Sequence, residues 1–170
     1  MLRVGVVSDS HRRFGLVPSM RDQCGRLDWL LHAGDHLTDA PRIAATLGVD
    51  PDRVRGVVGN CDFPATEPAE LLLELGGVKV LLVHGHQHGV KSGPQRLLYR
   101  AQEVGARVAI FGHSHIPFLE DVNGVLLLNP GSLSMPRRPQ DPPSCAVLEI
   151  ADGAVQARHI YLGGPAAFRF

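Results

Sequence analysis

Apolar residues in this chain fall into short runs that stop abruptly at a side chain able to bind a cation. Leu2-Arg3-Val4-Gly5-Val6-Val7 leads to Asp9-Ser10-His11, Asp28-Trp29-Leu30-Leu31-His32-Ala33-Gly34 leads to Asp35, and Val54-Arg55-Gly56-Val57-Val58-Gly59 leads to Asn60. Val78-Lys79-Val80-Leu81-Leu82-Val83 leads to His84, and Val108-Ala109-Ile110-Phe111-Gly112 leads to His113-Ser114-His115. Val-rich runs of this length predict strands buried on both faces. Asp9 and His11, two apart in extended chain, project to one side. Taken alone, Ser8, Asp9 and Ser10 suit a helix N-cap equally well. Repetition of the pattern at five strand ends favours a common site.

Helical spacing separates several of these runs. Arg12 to Arg26 reads as a helix on Phe14, Leu16, Val17 and Met20, weakened by Pro18 and closed near Gly25. Asp39 is the expected N-cap of a second helix, with Pro41 in its first turn, Ile43, Ala44 and Leu47 facing inward, and Gly48 ending it. A third helix fits Pro94 to Glu103. Three dipeptides predict hairpins: Gly76-Gly77 between Leu71–Leu75 and Val78–Val83, Asn123-Gly124 between Leu119–Val122 and Val125–Leu128, and Asp152-Gly153 between Cys145–Ile150 and Val155–Leu162. Phe63 to Pro68 is a turn-rich connector, Met135 to Pro143 a proline-rich surface loop, and Gly163 to Phe170 a loosely fixed tail whose Phe168 and Phe170 are candidates for docking. Strand and helix alternate early and hairpins dominate late, so two sheets packed together between helices are expected.

Composition narrows the class. A chain of 170 residues fits one domain, spanning 1–170 with 163–170 as its tail. At this size roughly 70% of the unfolded surface can be buried. Seventeen basic residues balance seventeen acidic ones, which argues against a broad footprint on nucleic acid. No run resembles a signal peptide or membrane span, so a cytoplasmic location without membrane contact is the expectation. Cys24, Cys61 and Cys145 are too few and too scattered for a disulfide framework or a four-cysteine zinc site. Cys24 and Cys145 read as core residues, whereas Cys61 adjoins a candidate ligand.

In open α/β sheets, ligands bind outside the carboxyl ends of the strands, so the terminal residues should converge on one crevice. Asp9, His11, Asp35, Asn60, His84, His113 and His115 together exceed the coordination of one ion, and two ions are the economical solution. Paired ions about 3.5–4 Å apart stabilise both the attacking and the leaving oxygen of a displacement at phosphorus. Mixed oxygen and nitrogen donors suit manganese, iron, nickel, cobalt or zinc better than magnesium or calcium.

Asp9-Ser10-His11, Gly34-Asp35, Gly59-Asn60-Cys61-Asp62, His84-Gly85-His86 and Gly112-His113-Ser114-His115 resemble, in order and across residues 1–132, the signature of the calcineurin-like metallophosphoesterases. The short connectors, Asn60-Cys61-Asp62 and Asn129-Pro130-Gly131-Ser132 resemble the compact phosphodiesterases of the YfcE type. That resemblance implies a four-layer α/β/β/α sandwich. It also implies that Asp9, His11 and His115 hold one ion, that Asn60, His84 and His113 hold the other, and that Asp35 bridges them. A hydroxide between the ions would be the nucleophile and a small phosphodiester the substrate, with manganese the first choice of metal. A phosphomonoesterase and a protein-binding scaffold like the retromer subunit of this fold are the alternatives.

One departure from the family pattern matters. Many relatives have Gly-Asn-His-Glu where this chain has Gly59-Asn60-Cys61-Asp62, and the absent histidine is the usual donor of a proton to the leaving group. His86 or Cys61 must then supply that proton, or the enzyme depends on good leaving groups, so aryl diesters should outrun alkyl ones. Asp62 reads either as a brace for Cys61 and its loop or as a turn residue. His32 and His159 read as structural. His36, His86 and His88 read as supports or mouth-lining groups, and Arg12 and Arg13 as exposed residues with a secondary claim on phosphate. The apolar hairpins and the Phe-containing tail leave self-association as an expectation.

Overall fold

Among the described residues, six of the ten strands run parallel in two triplets, and their C-terminal ends carry the loops that matter. The computed structural model describes residues 1–138 and 140–163; the docking candidates Phe168 and Phe170 lie outside them. The strands are β1 (Leu2–Val7), β2 (Trp29–His32), β3 (Val54–Gly56), β4 (Glu70–Leu75), β5 (Val78–Val83), β6 (Val108–Ile110), β7 (Phe118–Val122), β8 (Val125–Asn129), β9 (Ser144–Ala151) and β10 (Ala154–Tyr161). The helices are α1 (Val17–Cys24), α2 (Ala40–Leu47) and α3 (Gln95–Val104). One five-stranded sheet has the order β10-β9-β1-β2-β3 and the other β4-β5-β6-β8-β7. Within them β1, β2 and β3 are parallel, as are β5, β6 and β8.

Side-chain alternation along each strand builds the layers. Val4, Val6, Val80, Leu82, Ile110 and Leu128 point into a core between the two sheets. Val7, Leu30 and Val147 face the other way and pack with Met20, Ile43 and Leu47 of α1 and α2. Leu81, Ala109 and Leu127 pack with Leu97, Leu98 and Ala101 of α3. The result is the expected α/β/β/α sandwich. Each fully buried Val, Leu or Ile contributes about 1.5–3 kcal/mol, so these three clusters dominate the stabilisation. The three hairpin turns form where expected, with left-handed φ at Gly76-Gly77, Asn123-Gly124 and Asp152-Gly153.

Several element boundaries differ from the sequence reading. The first helix is confined to Val17–Cys24, and Pro18 lies in its opening turn, where a missing N–H costs nothing. Residues 11–16 form turns instead, because His11 and Arg12 adopt left-handed φ of 46° and 59°. β3 stops at Gly56, so Val57–Gly59 belong to the loop. Asp39 precedes α2 as expected, but its side chain does not cap the helix. It accepts hydrogen bonds from Ser10 Oγ at 2.7 Å and Arg12 N at 2.8 Å.

Candidate metal centre

The loops after β1, β2, β3, β5 and β6 all meet above the inter-sheet core. Backbone bonds lock them together: Asp9 N donates to Gly34 O at 3.0 Å and Gly112 N to His84 O at 3.0 Å. Contacts also cross between the sheets, since His113 N donates to Asp9 Oδ2 at 3.2 Å and His84 Nδ1 to Ala33 O at 2.7 Å. Such close approach excludes a side chain at Gly112, where a Cβ would lie 1.9 Å from Ser8 Oγ. Left-handed φ occurs at Asp9, His11, Asp35, His113 and His115. Apart from the hairpin residues Asn123 and Asp152, every left-handed non-glycine residue among those described sits in these loops. Each such residue costs about 1–3 kcal/mol and persists only where its surroundings enforce it, and such strain clusters at functional sites.

Asp9, His11, Asp35 and His115 each offer a ligand atom within 4.8 Å of the others. Asp9 is fully buried; its Oδ2 accepts from Ser8 Oγ at 2.6 Å and from His113 N. Its Oδ1 lies 3.0 Å from His115 Nε2, yet no hydrogen bond satisfies it, and His11 Nε2 is likewise buried without a partner. Burying a bare carboxylate oxygen among unpaired nitrogens is unfavourable, and a bound cation removes the penalty. His115 donates from Nδ1 to Met135 O at 2.6 Å, which leaves Nε2 as the inward lone pair. These four residues fit a divalent metal ion.

A second set adjoins the first through Asp35. His84, anchored through Nδ1, places Nε2 at 3.2 Å from Asn60 Oδ1 and 3.4 Å from Asp35 Oδ1. The His113 ring lies 5.1 Å from that of His84. The structure therefore brings all seven candidate ligands to one place. His86 joins them, its ring 5.3 Å from His84 and 6.1 Å from His113, with Nδ1 buried and unpartnered. His36 packs edge-on against His11 at 4.9 Å. Burial lowers the pKa of His88, and the charges acting on it are those of Glu70 and Arg100.

Electrostatics follow from burial and mutual charge. Desolvation works against ionised Asp35, but hydrogen bonds from His84 and Cys61 N hold its carboxyl below the usual range. Burial likewise opposes charge on His84 and His115, while Asp35 and Asp9 respectively raise them. Burial, reinforced by His84 and Lys91, lowers His113 to about 4. Desolvation, together with the Asp35 carboxylate, pushes the Cys61 thiol up to about 11.

The model of the calcineurin-like phosphoesterase superfamily domain matches residues 2–153. The chain belongs to this superfamily. It is 38% identical over 161 residues to a probable metallophosphoesterase of Bacillus subtilis, covering 92% of this chain and 89% of that one. It is 33% identical over 129 residues to the phosphodiesterase YfcE of Escherichia coli, covering 64% and 66% respectively. A predicted phosphoesterase from Streptococcus pneumoniae superposes with a TM-score of 0.74 at 32% identity, over 94% of this chain and 89% of that one. Vps29 of Entamoeba histolytica complexed with zinc reaches 0.74 at 25% identity, over 94% and 99%. The phosphoesterase membership and the donor chemistry agree on metal dependence.

The supports around the ligands were mostly invisible in the sequence. His32, expected in the core, is fully buried; its Nδ1 accepts from Gly34 N at 3.2 Å and its Nε2 lies 3.1 Å from Ser10 Oγ. A relay from His32 through Ser10 to Asp39 thus holds the Asp9–His11 loop. Asp62 is a brace: its carboxylate accepts from Leu37 N at 2.9 Å and Gly59 N at 2.8 Å. In the Asn129–Ser132 segment, Asn129 Nδ2 donates to Gly112 O at 2.8 Å and Ser132 Oγ to Asp9 O at 2.8 Å. His159 donates to Asn129 O at 2.7 Å and is structural. The sequence pointed to the Asn129-Pro130-Gly131-Ser132 segment by resemblance, left Asp62 open between a brace and a turn residue, and read His32 and His159 as structural without naming what they hold.

Proposed function

We propose that the chain is a single-domain, metal-dependent phosphodiesterase that hydrolyses a small diester at a dinuclear centre, in the cytoplasm. Asp9, His11 and His115 would hold one divalent cation, Asn60, His84 and His113 the other, with Asp35 shared between them. The observation that carries this reading is the buried, unpaired Asp9 Oδ1 and His11 Nε2 at the meeting point of five loops. Manganese is the expected ion, and nickel, iron, cobalt or zinc satisfy the same donors. Divalent cations held there would supply Lewis acidity, offset phosphate charge and bring the pKa of bound water down to about 7.

The protein's own groups do the rest. Asp9, Asp35, Asn60 and the imidazoles set the metal positions, and the braces Asp39, Asp62, Asn129 and Ser132 keep them there. Cys61 is held as a thiol, and burial keeps His86 neutral over more of the pH range than a free imidazole. Neither the Cys61 thiol nor a neutral His86 imidazole is a strong acid toward a departing alkoxide. Aryl diesters, whose leaving groups need no proton, are therefore the better substrates. A diester carries one charge and demands no clamp of arginines, which favours it over a monoester.

The zinc-containing Vps29 fold means that metal binding alone does not separate an enzyme from a protein-binding scaffold; turnover does. Purified protein should hydrolyse bis-p-nitrophenyl phosphate when manganese is added, faster than a dialkyl phosphate. Asp35→Ala and His84→Ala should each lose at least a hundredfold in kcat/KM while remaining folded by circular dichroism. Absence of turnover with every transition metal, or unchanged turnover in both variants, rejects the enzymatic reading.

A further inference from the structure

A cavity of about 750 Å³ opens beside the candidate metal centre, and the sequence did not reveal it. Its floor is the exposed edge of the first sheet, at Val54, Gly56 and Val58 of β3 and the chain after it. One wall is Leu37 and the start of α2, at Ala40 and Pro41; the other is the Cys61–Glu67 connector. That connector leaves β3, swings outward and returns where Val58 N donates to Pro68 O at 3.0 Å. Pro41, Pro51 and Pro64 line the space and stiffen its walls before any ligand arrives.

The cavity and the metal-ligand cluster share a boundary. Cys61 lines the cavity and its backbone N donates to Asp35 Oδ1 at 2.8 Å. His36 lines it and packs against His11. Arg12 follows His11 directly and places a cation on the same wall. Gly59 makes this junction tight, because a Cβ there would lie 2.1 Å from Asp35 Oδ1. A phosphate held at the cluster would therefore lie beside this opening.

The lining is aromatic and apolar with polar edges. Phe63 stands on the rim, 93% exposed, the most exposed of the large hydrophobic residues described. Thr38, Thr66 and Glu67 add hydroxyl and carboxylate groups at the edge. A flat ring with heteroatoms on its perimeter matches an aromatic platform flanked by hydrogen-bonding groups, and base stacking on an aromatic side chain tolerates any base. An alkyl substituent would leave most of the space to water.

We infer that this cavity is the subsite for one organic substituent of the diester, and that the substituent is planar, heteroaromatic and nucleoside-sized. The inference deepens the phosphodiesterase reading and rests on it. Two chromogenic diesters with the same leaving group separate the cavity from the chemistry: thymidine 5′-(p-nitrophenyl phosphate) and methyl p-nitrophenyl phosphate, each assayed with manganese. The wild type should prefer the thymidine ester by tenfold or more in kcat/KM. Phe63→Ala, and Ala65→Trp on the exposed wall, should each remove most of that preference through KM and change the methyl ester less than twofold. Equal rates on the two esters in the wild type, or parallel losses on both in the variants, overturn the subsite. A wild type inactive on both refutes the phosphodiesterase reading instead. The subsite is then decided by tryptophan fluorescence of Phe63→Trp, which thymidine 5′-monophosphate should quench if the subsite exists and should leave unchanged if it does not.

Discussion

At the scale of single residues, the chemistry is held in place by groups that themselves bind nothing. Asp39 anchors Ser10 and Arg12, and so fixes the turn carrying Asp9 and His11. Outer partners of metal ligands commonly govern affinity by 10–100-fold. Asp39→Ala should therefore weaken manganese binding by roughly that factor, as read by isothermal titration, while the far-ultraviolet spectrum stays native. His32 adds a pH signature. Burial lowers its pKa to about 4, below the 6.5 of a free imidazole. Between those values the unfolded chain takes up a proton that the folded chain refuses, so this contribution is complete above pH 6.5 and fades as pH falls toward 4. The slope from one such group is at most about 1.4 kcal/mol per pH unit. Urea titrations of metal-free protein at pH 7 and pH 5 should show a smaller loss for His32→Asn than for wild type. An identical loss in both would show that His32 does not carry the effect.

At the scale of elements, the parallel strands act as arms of fixed length. β1, β2 and β3 in one sheet, and β5, β6 and β8 in the other, are short, and all but the edge strand β3 are packed largely by buried apolar side chains. Their rigidity transmits position to the loops beyond their C-terminal ends. Leu128 in β8 is fully buried between the sheets, and Asn129, which follows it, braces Gly112. Leu128→Ala should cost about 2–5 kcal/mol of unfolding free energy by chemical denaturation. It should reduce activity less than Asp35→Ala, because the cavity lies in the core and not at the ligands. Apolar runs and turn dipeptides made the strands and hairpins legible beforehand. The first five residues of the expected first helix, Arg12 to Leu16, were misread because hydrophobic spacing at Phe14 and Leu16 also occurs in turns. Left-handed φ at His11 and Arg12, enforced by Asp39 from elsewhere in the chain, decided between them.

At the scale of the whole molecule, stability and cation binding are one equilibrium. The loops store backbone strain and buried unpaired donors, and a ligand that binds only the folded state stabilises it by RT ln(1 + [L]/Kd), about 2.7 kcal/mol at a hundredfold excess. Manganese at that excess should raise the melting temperature by roughly 5–10 °C for a chain of this size. Chelation should reverse the rise, and Asp9→Ala should abolish it. A melting temperature indifferent to manganese, nickel and zinc would mean that the cluster holds no ion. No helix among the described residues is long and apolar enough to cross a membrane.

By itself the sequence determined which residues could ligate and where they would stand relative to their strands, because a buried strand needs a continuous apolar run and the first polar residue beyond it must emerge at an end. It determined the pairing of each hairpin for the same local reason, through turn dipeptides that tolerate positive φ. Only the tertiary structure decided the rest. Stacking two sheets with their parallel triplets aligned set Asp9 beside His113, recruited His32, Asp39 and Asn129 as braces, and opened a cavity where the connector leaves an unpaired sheet edge. Those outcomes depend on contacts between segments far apart in the chain, and no local pattern encodes them.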